Sequence, residues 1–418
     1  MITLTNEPAV NGGPRVRTKP WPARASIGNE EKTAVMALFD KAIASGEGIE
    51  YNGENEEAYC REFAEFMGGG HADAVCSGTA AVYLALRALD IEPFTEVIVS
   101  PITDPGGMMP IVMLNCIPVV ADTVPGSYNV GPKEIEEKIS PQTSAILVAH
   151  IGGEPADIEG IMAVARKHKL LVVEDCAQAH GARIDGRLAG TFGDIAAFST
   201  MFSKHYSTGG QGGMVYTGNK GMYDLARRAA DRGKPLGLPD GSTNYIASLN
   251  FNLDEIGAAI GRVQLRKLLE IIGGRRRVAA GIARGLESLS SVSMPLVHSD
   301  SEPSYWFLRL RFNRNAVSCD KAEFCNALVH EGLPIVSDYR AMPHTHDWHK
   351  YRRVFGTSEY PWSSPSYKGN VKTTFDCPNA LRAIADHFNL QIHENWGDEE
   401  IADTIRAIAK LESAYGIG

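Results

Sequence analysis

The chain alternates short apolar runs with helical patterns through its middle, and this alternation limits the fold more than any other feature of the sequence. Each run is rich in Val, Ile, Ala or Leu, as expected of buried strands. Helical patterns such as Ile158–His168 separate the runs. Strands that alternate with helices favour a mostly parallel sheet with helices on both faces, the α/β class. The runs lie at residues 97–99, 117–121, 145–149, 170–173 and 195–199.

The alternation of strands and helices gives way to a long helical pattern after residue 264, which indicates a second domain. The chain has 418 residues, of which 44% are hydrophobic, enough for two cores. A helical pattern covers residues 265–289, and its basic triplet at 275–277 is expected to face solvent. A predicted strand at 305–312 and predicted helices at Lys321–His330 and 399–413 follow it. We therefore expect an N-terminal arm over residues 1–28, a large α/β domain over 29–264, and a connector helix with a small C-terminal α+β domain over 265–418.

Charge and cysteine usage exclude several classes of protein. The net charge of −9 and the pI of about 5.8 leave no basic surface for nucleic acid. No apolar run is long enough to cross a bilayer, and residues 1–13 lack a basic start and an apolar stretch, so we expect neither a membrane span nor a secretory leader. The seven cysteines stand at unrelated spacings, which is typical of reduced thiols in a cytoplasm and not of a disulfide framework or a metal site.

One lysine followed by a glycine cluster marks the predicted functional site. Residues 198–213 read FSTMFSKHYSTGGQGG, with Lys204 at the centre. A lysine between Ser and Gly is ordinarily a solvated loop residue. Two other stretches favour a chemical role. Asp175 ends an apolar strand, where ligands of α/β sheets collect, and the turn at Gly78 and Thr79 opens a helix whose free amides suit a phosphate.

A phosphate-binding turn, a strand-end carboxylate and a later lysine, in that chain order, match the requirements of pyridoxal phosphate (PLP). The lysine forms the Schiff base that anchors the cofactor. An aspartate keeps the pyridine nitrogen protonated, so that the ring can withdraw electrons. The sequence therefore predicts PLP as the cofactor, with pyridoxamine phosphate as its aminated form.

The sequence also resembles a known family along nearly its whole length. Motifs in the family's order carry the resemblance, which is to the DegT-type (DegT/StrS) sugar aminotransferases, PLP enzymes of the aspartate aminotransferase fold, known as fold type I. This resemblance implies a mostly parallel central sheet and a smaller C-terminal α+β domain. The motifs are GTAA at 78–81, EDCAQAHGA at 174–182, FS-x4-K at 198–204, GQGG at 210–213 and N-F-N-L-x-E-I-x-A-A at 250–259.

The resemblance assigns roles to individual residues. Lys204 would hold the cofactor and move the proton, and Asp175 would pair with the ring nitrogen. Asn250 would reach the phosphate of the neighbouring subunit, which implies a homodimer with shared sites. The remaining cofactor-binding positions are the phosphate contacts Gly78, Thr79, Ala80 and Ser199, Ala177 against the ring face, and Gln178 at the ring hydroxyl.

Two positions depart from the family pattern. The family commonly has an aromatic residue that stacks on the cofactor at the position of Asp104, and an arginine at the position of Asn252. An acidic side chain offers no ring face. Asp104 is still counted among the cofactor-binding positions. Either it turns away and Met108 or a backbone plane covers the ring, or its carboxylate meets the substrate.

The resemblance implies transfer of an amino group from glutamate or glutamine to a keto-sugar or keto-cyclitol. The N-terminal arm at 11–25 is similar to that of the branch that aminates keto-cyclitols. Dehydration of a deoxysugar is an alternative, although the dehydratase branch replaces the lysine with histidine, and a non-catalytic PLP-binding regulator is another. The candidate substrate contacts are His180, His205, Tyr339 and His344.

Overall fold

A computed structural model describes residues 7–339, 341–372 and 374–417. Its largest sheet has seven strands in the order β1-β9-β8-β5-β4-β2-β3, and a four-stranded sheet has the order β10-β12-β14-β13. The strands are β1 (His71–Val75), β2 (Glu96–Val99), β3 (Ile117–Val120), β4 (Thr143–Ala149), β5 (Leu171–Asp175), β6 (Arg183–Ile184), β7 (Arg187–Leu188), β8 (Ile195–Ser199), β9 (Gly213–Thr217), β10 (Val292–Ser293), β11 (Ser301–Glu302), β12 (Leu308–Phe312), β13 (Ile335–Val336) and β14 (His387–Leu390).

Helices pack against both sheets. The α-helices are α1 (Asn29–Ser45), α2 (Glu54–Phe66), α3 (Gly78–Ala88), α4 (Met109–Met113), α5 (Pro132–Glu136), α6 (Ile158–His168), α7 (Lys220–Ala230), α8 (Glu255–Leu286), α9 (Lys321–His330), α10 (Asp347–Lys350), α11 (Pro378–Asp386) and α12 (Asp398–Tyr415).

The predicted α/β class is confirmed. Strands β2, β3, β4, β5 and β8 are parallel. Strand β9 runs antiparallel to both of its neighbours, β8 and β1, so β1 points in the same direction as the parallel strands. Apolar residues on both sides of the central strands are buried, as the continuous apolar runs require. The carboxyl ends of the parallel strands meet at one edge, so the end of β5 and the segment after β2 lie near each other.

Helix α8 joins the two sheets. It spans Glu255–Leu286 and therefore begins ten residues before the predicted connector at residue 265. Asp254 caps it by accepting a hydrogen bond from the amide of Gly257 at 2.7 Å. The predicted boundary at 264/265 lies inside this helix, and the division into domains stays a prediction.

The expectation of a solvated basic triplet is wrong for Arg275. This side chain is 2% exposed, and its Nε lies 3.0 Å from Oε2 of Glu394. Its Nη1 also donates to the carbonyls of Tyr305, Trp306 and Ile392. A run of basic letters does not reveal which member faces the core, because neighbours on a helix point 100° apart.

The N-terminal arm packs on the smaller domain. Arg17 is buried and pairs with Glu400 at 2.8 Å and with Asp403 at 2.7 Å. Trp21 stacks on Trp396 with ring centroids 4.3 Å apart. Within the described residues, no helix is both long enough and apolar enough to cross a membrane.

Candidate active site

Lys204 lies in the loop between β8 and β9, at the carboxyl edge of the sheet. Its side chain is 6% exposed, and this burial lowers its pKa to about 8, although the charges of Asp175 and Asp104 partly oppose the shift. An amine with this pKa is substantially neutral near pH 8. Neutral amines are nucleophiles and proton acceptors, so the lysine is suited to either task.

Trp306 fixes the lysine from the side of the small domain. The Nζ of Lys204 lies 3.8 Å from the centre of the indole ring, within the range of a cation–π contact. The indole N–H donates to the carbonyl of Ser203 at 2.9 Å. Sequence reasoning missed this residue, because only the adjacent aromatic pair Tyr305–Trp306 before β12 hinted at it.

Asp175 ends β5 and is 7% exposed. Burial raises the pKa of its carboxyl group, while a hydrogen bond from the amide of Ala177 at 3.0 Å and the charge of Lys204 lower it. A cationic partner strongly stabilises the ionised form of a carboxyl group that is this buried and accepts one hydrogen bond from an amide. A pyridinium nitrogen is such a partner.

The amino end of α3 lies next to the end of β8 and has the form of a phosphate-binding turn. A Cβ added to Gly78 would stand 2.5 Å from that of Ser199, so only glycine permits this approach. The hydroxyl of Ser77 already accepts from the amide of Ala80 at 3.1 Å. The first-turn amides of Gly78 and Thr79 have no carbonyl partner within the helix, which leaves them for an anion.

These groups fit PLP. Backbone amides and the Ser199 hydroxyl suit its phosphate, the Asp175 carboxylate suits its ring nitrogen, and the Lys204 amine suits its aldehyde. The glycines preserve room beside these groups: a Cβ on Gly107 would lie 3.0 Å from Oδ2 of Asp175.

Gln178 connects the end of β5 to the long loop of the small domain. Its amide nitrogen donates to the hydroxyl of Tyr339 at 2.9 Å, and its oxygen accepts from the amide of Gly152 at 2.8 Å. The structure therefore places Tyr339 in contact with Gln178, one of the predicted cofactor-binding residues. Tyr339 also stacks against Tyr128, with centroids 5.8 Å apart.

His180 and His205 are buried close to the lysine loop, with ring centroids 5.4 Å apart. Burial and the charge of Lys204 lower the pKa of His180 to about 3, so it is neutral at pH 7. Burial also holds the pKa of His205 well below its usual range, and its Nε2 lies 3.2 Å from the carbonyl oxygen of Ser304. Both imidazoles therefore pack beneath the loop as neutral groups.

The other predicted positions lie farther from this group or face outward. Asp104 is exposed and caps its own turn, accepting from the amide of Gly106 at 2.8 Å, yet its charge acts on Lys204 and on Asp175. Asn250 is exposed and accepts hydrogen bonds from Asn252. His344 lines a separate cavity together with Glu96, the first residue of β2.

Arg24 of the N-terminal arm holds the backbone of the lysine loop. Its Nη1 donates to the carbonyl of Lys204 at 2.7 Å and its Nη2 to that of His205 at 2.5 Å. Its Nε lies 2.8 Å from Oε1 of Glu394, whose other oxygen pairs with Arg275. The arm, the loop and the small domain thus meet at one guanidinium. No sequence signal indicates this contact, which joins residues 180 positions apart.

Arg24→Met is expected to reduce turnover about tenfold, ~1.4 kcal/mol of barrier, because the lysine loop loses two charge-assisted hydrogen bonds. Hydrogen exchange of the 200–206 amides, followed by mass spectrometry, should rise in the same variant. Arg15→Met is the matched control, since among the described residues the Arg15 side chain donates one hydrogen bond, to the carbonyl of His330 at the surface. Wild-type exchange in the Arg24 variant would contradict this role.

Comparisons with known proteins identify the family of this chain. The sequence profile of the DegT/DnrJ/EryC1/StrS aminotransferase family matches residues 29–409. A Micromonospora echinospora protein provisionally named L-glutamine:3-amino-2,3-dideoxy-scyllo-inosose aminotransferase is 31% identical over 99% of both chains. GDP-perosamine synthase of Escherichia coli O157:H7 is 32% identical over 68% of this chain and 76% of its own length.

A solved structure has the same fold along almost the entire chain. The aminotransferase from Psychrobacter cryohalolentis superposes with a TM-score of 0.82 at 26% identity, covering 95% of this chain and 99% of its own. With the family profile, this establishes both the fold and the enzyme class. The chain is an aminotransferase and belongs to the DegT/DnrJ/EryC1/StrS family, whose members depend on PLP.

Proposed function

We propose that this aminotransferase binds PLP at Lys204 and transfers an amino group from glutamate or glutamine to a keto-cyclitol. The observation that carries the proposal is the buried amine of Lys204, with a pKa of about 8, in the field of the Asp175 carboxylate and beside the open turn at Gly78. Each group has the chemistry that one part of PLP requires.

Different side chains of the protein would carry out different parts of the reaction. When bound, PLP supplies an aldehyde that bonds to amines and a ring that withdraws electrons. Lys204 Nζ, once free, takes the proton from the donor carbon and returns it, which a neutral amine does well near pH 8. Asp175 keeps a proton on the ring nitrogen. Trp306 limits where the Lys204 amine can move and excludes water from one side of it.

The choice of a keto-cyclitol rests on the full-length similarity to the Micromonospora protein, whose name includes a scyllo-inosose. A nucleotide-linked keto-sugar is the second candidate, favoured by the similarity to GDP-perosamine synthase. The test starts from the enzyme in its pyridoxamine phosphate form. Mixing it with scyllo-inosose should restore the visible absorbance of the PLP form within seconds to minutes. Restoration by a nucleotide keto-sugar alone would reject the cyclitol assignment.

We also propose a homodimer with shared sites. Asn250 is exposed on the isolated chain, as are the neighbouring apolar side chains of Leu249 and Tyr245, at 67% and 59%. Sedimentation should show a dimer at assay concentration, and specific activity should fall on dilution in step with dissociation. A fully active monomer would rule out a shared site.

Asp104 provides a test of substrate class. Its carboxylate can accept hydrogen bonds from the hydroxyls of a polyol, which a free cyclitol carries at almost every carbon. Asp104→Phe is therefore expected to leave cofactor affinity unchanged or higher, but to slow the keto-acceptor half-reaction about tenfold more than the amino-donor half-reaction. Single-turnover kinetics of each half-reaction measure this difference. Equal effects on both halves would mean that Asp104 only caps its turn.

A further inference from the structure

A cavity of about 780 Å³, which Lys204 does not line, lies beside β2 and β3 at one edge of the large sheet. Glu96 and Ile117 line it, and they are the first residues of β2 and β3. Asp175 is the last residue of β5, which runs parallel to β4 and β2. The cavity therefore borders the amino ends of β2 and β3, and neither Asp175 nor the turn at Gly78 belongs to its lining.

Positive charge dominates the lining. Five lysine and arginine side chains line the cavity, against two carboxylates, those of Glu96 and Glu137. Among the described residues, only Arg352 of these five has a carboxylate partner, Glu359, at 3.2 Å. The five basic residues are Lys138, Lys350, Arg352, Lys368 and Lys372.

Neither carboxylate neutralises these cations. Glu96 accepts hydrogen bonds from the hydroxyl of Tyr367 at 2.7 Å and from that of Ser140 at 2.5 Å. Glu137 lies 3.8 Å from Lys133, which does not line the cavity. Uncompensated cations around a concave surface focus a positive potential and attract anions.

The imidazole rings of His344 and His349 belong to the same lining. Nδ1 of His344 and Nε2 of His349 are buried without a hydrogen-bond partner among the described residues. Burial lowers the pKa of each ring to about 4, so both are neutral at pH 7. Neither ring adds a charge to the lining, and the two nitrogens have almost no surface of their own open to the cavity. Phe375 supplies an apolar surface nearby.

We propose that this cavity binds an organic phosphate of nucleotide size, separately from the proposed active site. Lys138, Lys350 and Lys372 would hold the phosphates as point charges, and the ring of Phe375 would pack against the sugar or base. The volume of about 780 Å³ lies within the range of small-molecule sites.

Calorimetry on the enzyme saturated with PLP tests this proposal, because the phosphate turn at Gly78 is then filled. ATP is the organic probe. Inorganic triphosphate carries a similar charge without the nucleoside, so it shows whether the organic part contributes to binding. ATP should bind, and Lys138→Glu and Lys372→Glu should each weaken it about tenfold or more. Lys133→Glu is the matched control, since Lys133 is 80% exposed and lies outside the cavity.

Amination of the keto substrate should be unchanged in all three lysine variants, which separates this site from the proposed active site. No binding of ATP, or binding that Lys138→Glu and Lys372→Glu leave intact, would overturn the proposal. Binding of inorganic triphosphate as tight as that of ATP would overturn the assignment to an organic phosphate.

Discussion

Lys204→Ala is expected to lower turnover by about four orders of magnitude, ~5.5 kcal/mol of barrier, because the variant loses both the covalent anchor and the base that moves the proton. The phosphate turn at Gly78 and the carboxylate of Asp175 remain, so PLP should still bind. Steady-state kinetics measure the loss, and absorbance after gel filtration measures retained cofactor.

Lys220→Ala is the matched control for this variant. Lys220 is an exposed lysine at the start of α7, and its ion pair is with Asp224 on the same helix. It should keep wild-type turnover. Turnover of Lys204→Ala within about tenfold of wild type would show that another group supplies the proton transfer.

Asp175→Asn is expected to cost about three orders of magnitude in turnover, ~4 kcal/mol of barrier. A neutral amide cannot hold a proton on the ring nitrogen, so the cofactor withdraws electrons less strongly. The absorbance of bound PLP should shift in the variant even without substrate, which gives a second readout.

The control for Asp175→Asn is Asp194→Asn, because Asp194 precedes β8 and lies beside the other end of β5. Asp194 accepts a hydrogen bond from the amide of Val172 at 2.7 Å, near the start of β5. Asp194→Asn removes a similar charge from the same strand pair but should retain turnover within a fewfold. Near-normal turnover of Asp175→Asn would assign the ring nitrogen to a different acid.

Local sequence patterns predicted the sheet well. Its central strands are buried on both faces, so they appear in the sequence as continuous apolar runs. The runs at 145–149 and 195–199 correspond to β4 and β8. The start of α8 was harder to predict. Asp254 and Glu255 belong to the predicted large domain, yet they begin the helix that continues into the small one. A single helix shared by two cores has no break in its pattern.

The candidate site was predictable where its residues follow one another along the chain and the turn or strand itself positions them. Asp175 and the Gly78 turn are of this kind, although their roles stay predictions. Arg24 and Trp306 are not, because they reach Lys204 only through the packing of the arm and the small domain. His344 shows the converse problem, since a plausible loop position lies in a different cavity.

Borohydride reduction of the PLP-loaded enzyme, followed by peptide mapping, tests the central claim most directly. Reduction fixes the cofactor to the lysine that carries it. The structure places a buried lysine with a pKa of about 8 at Lys204, and the label is therefore expected on the peptide that contains residues 198–213. A label on any other lysine, with residues 198–213 unmodified, would contradict the assignment of the site.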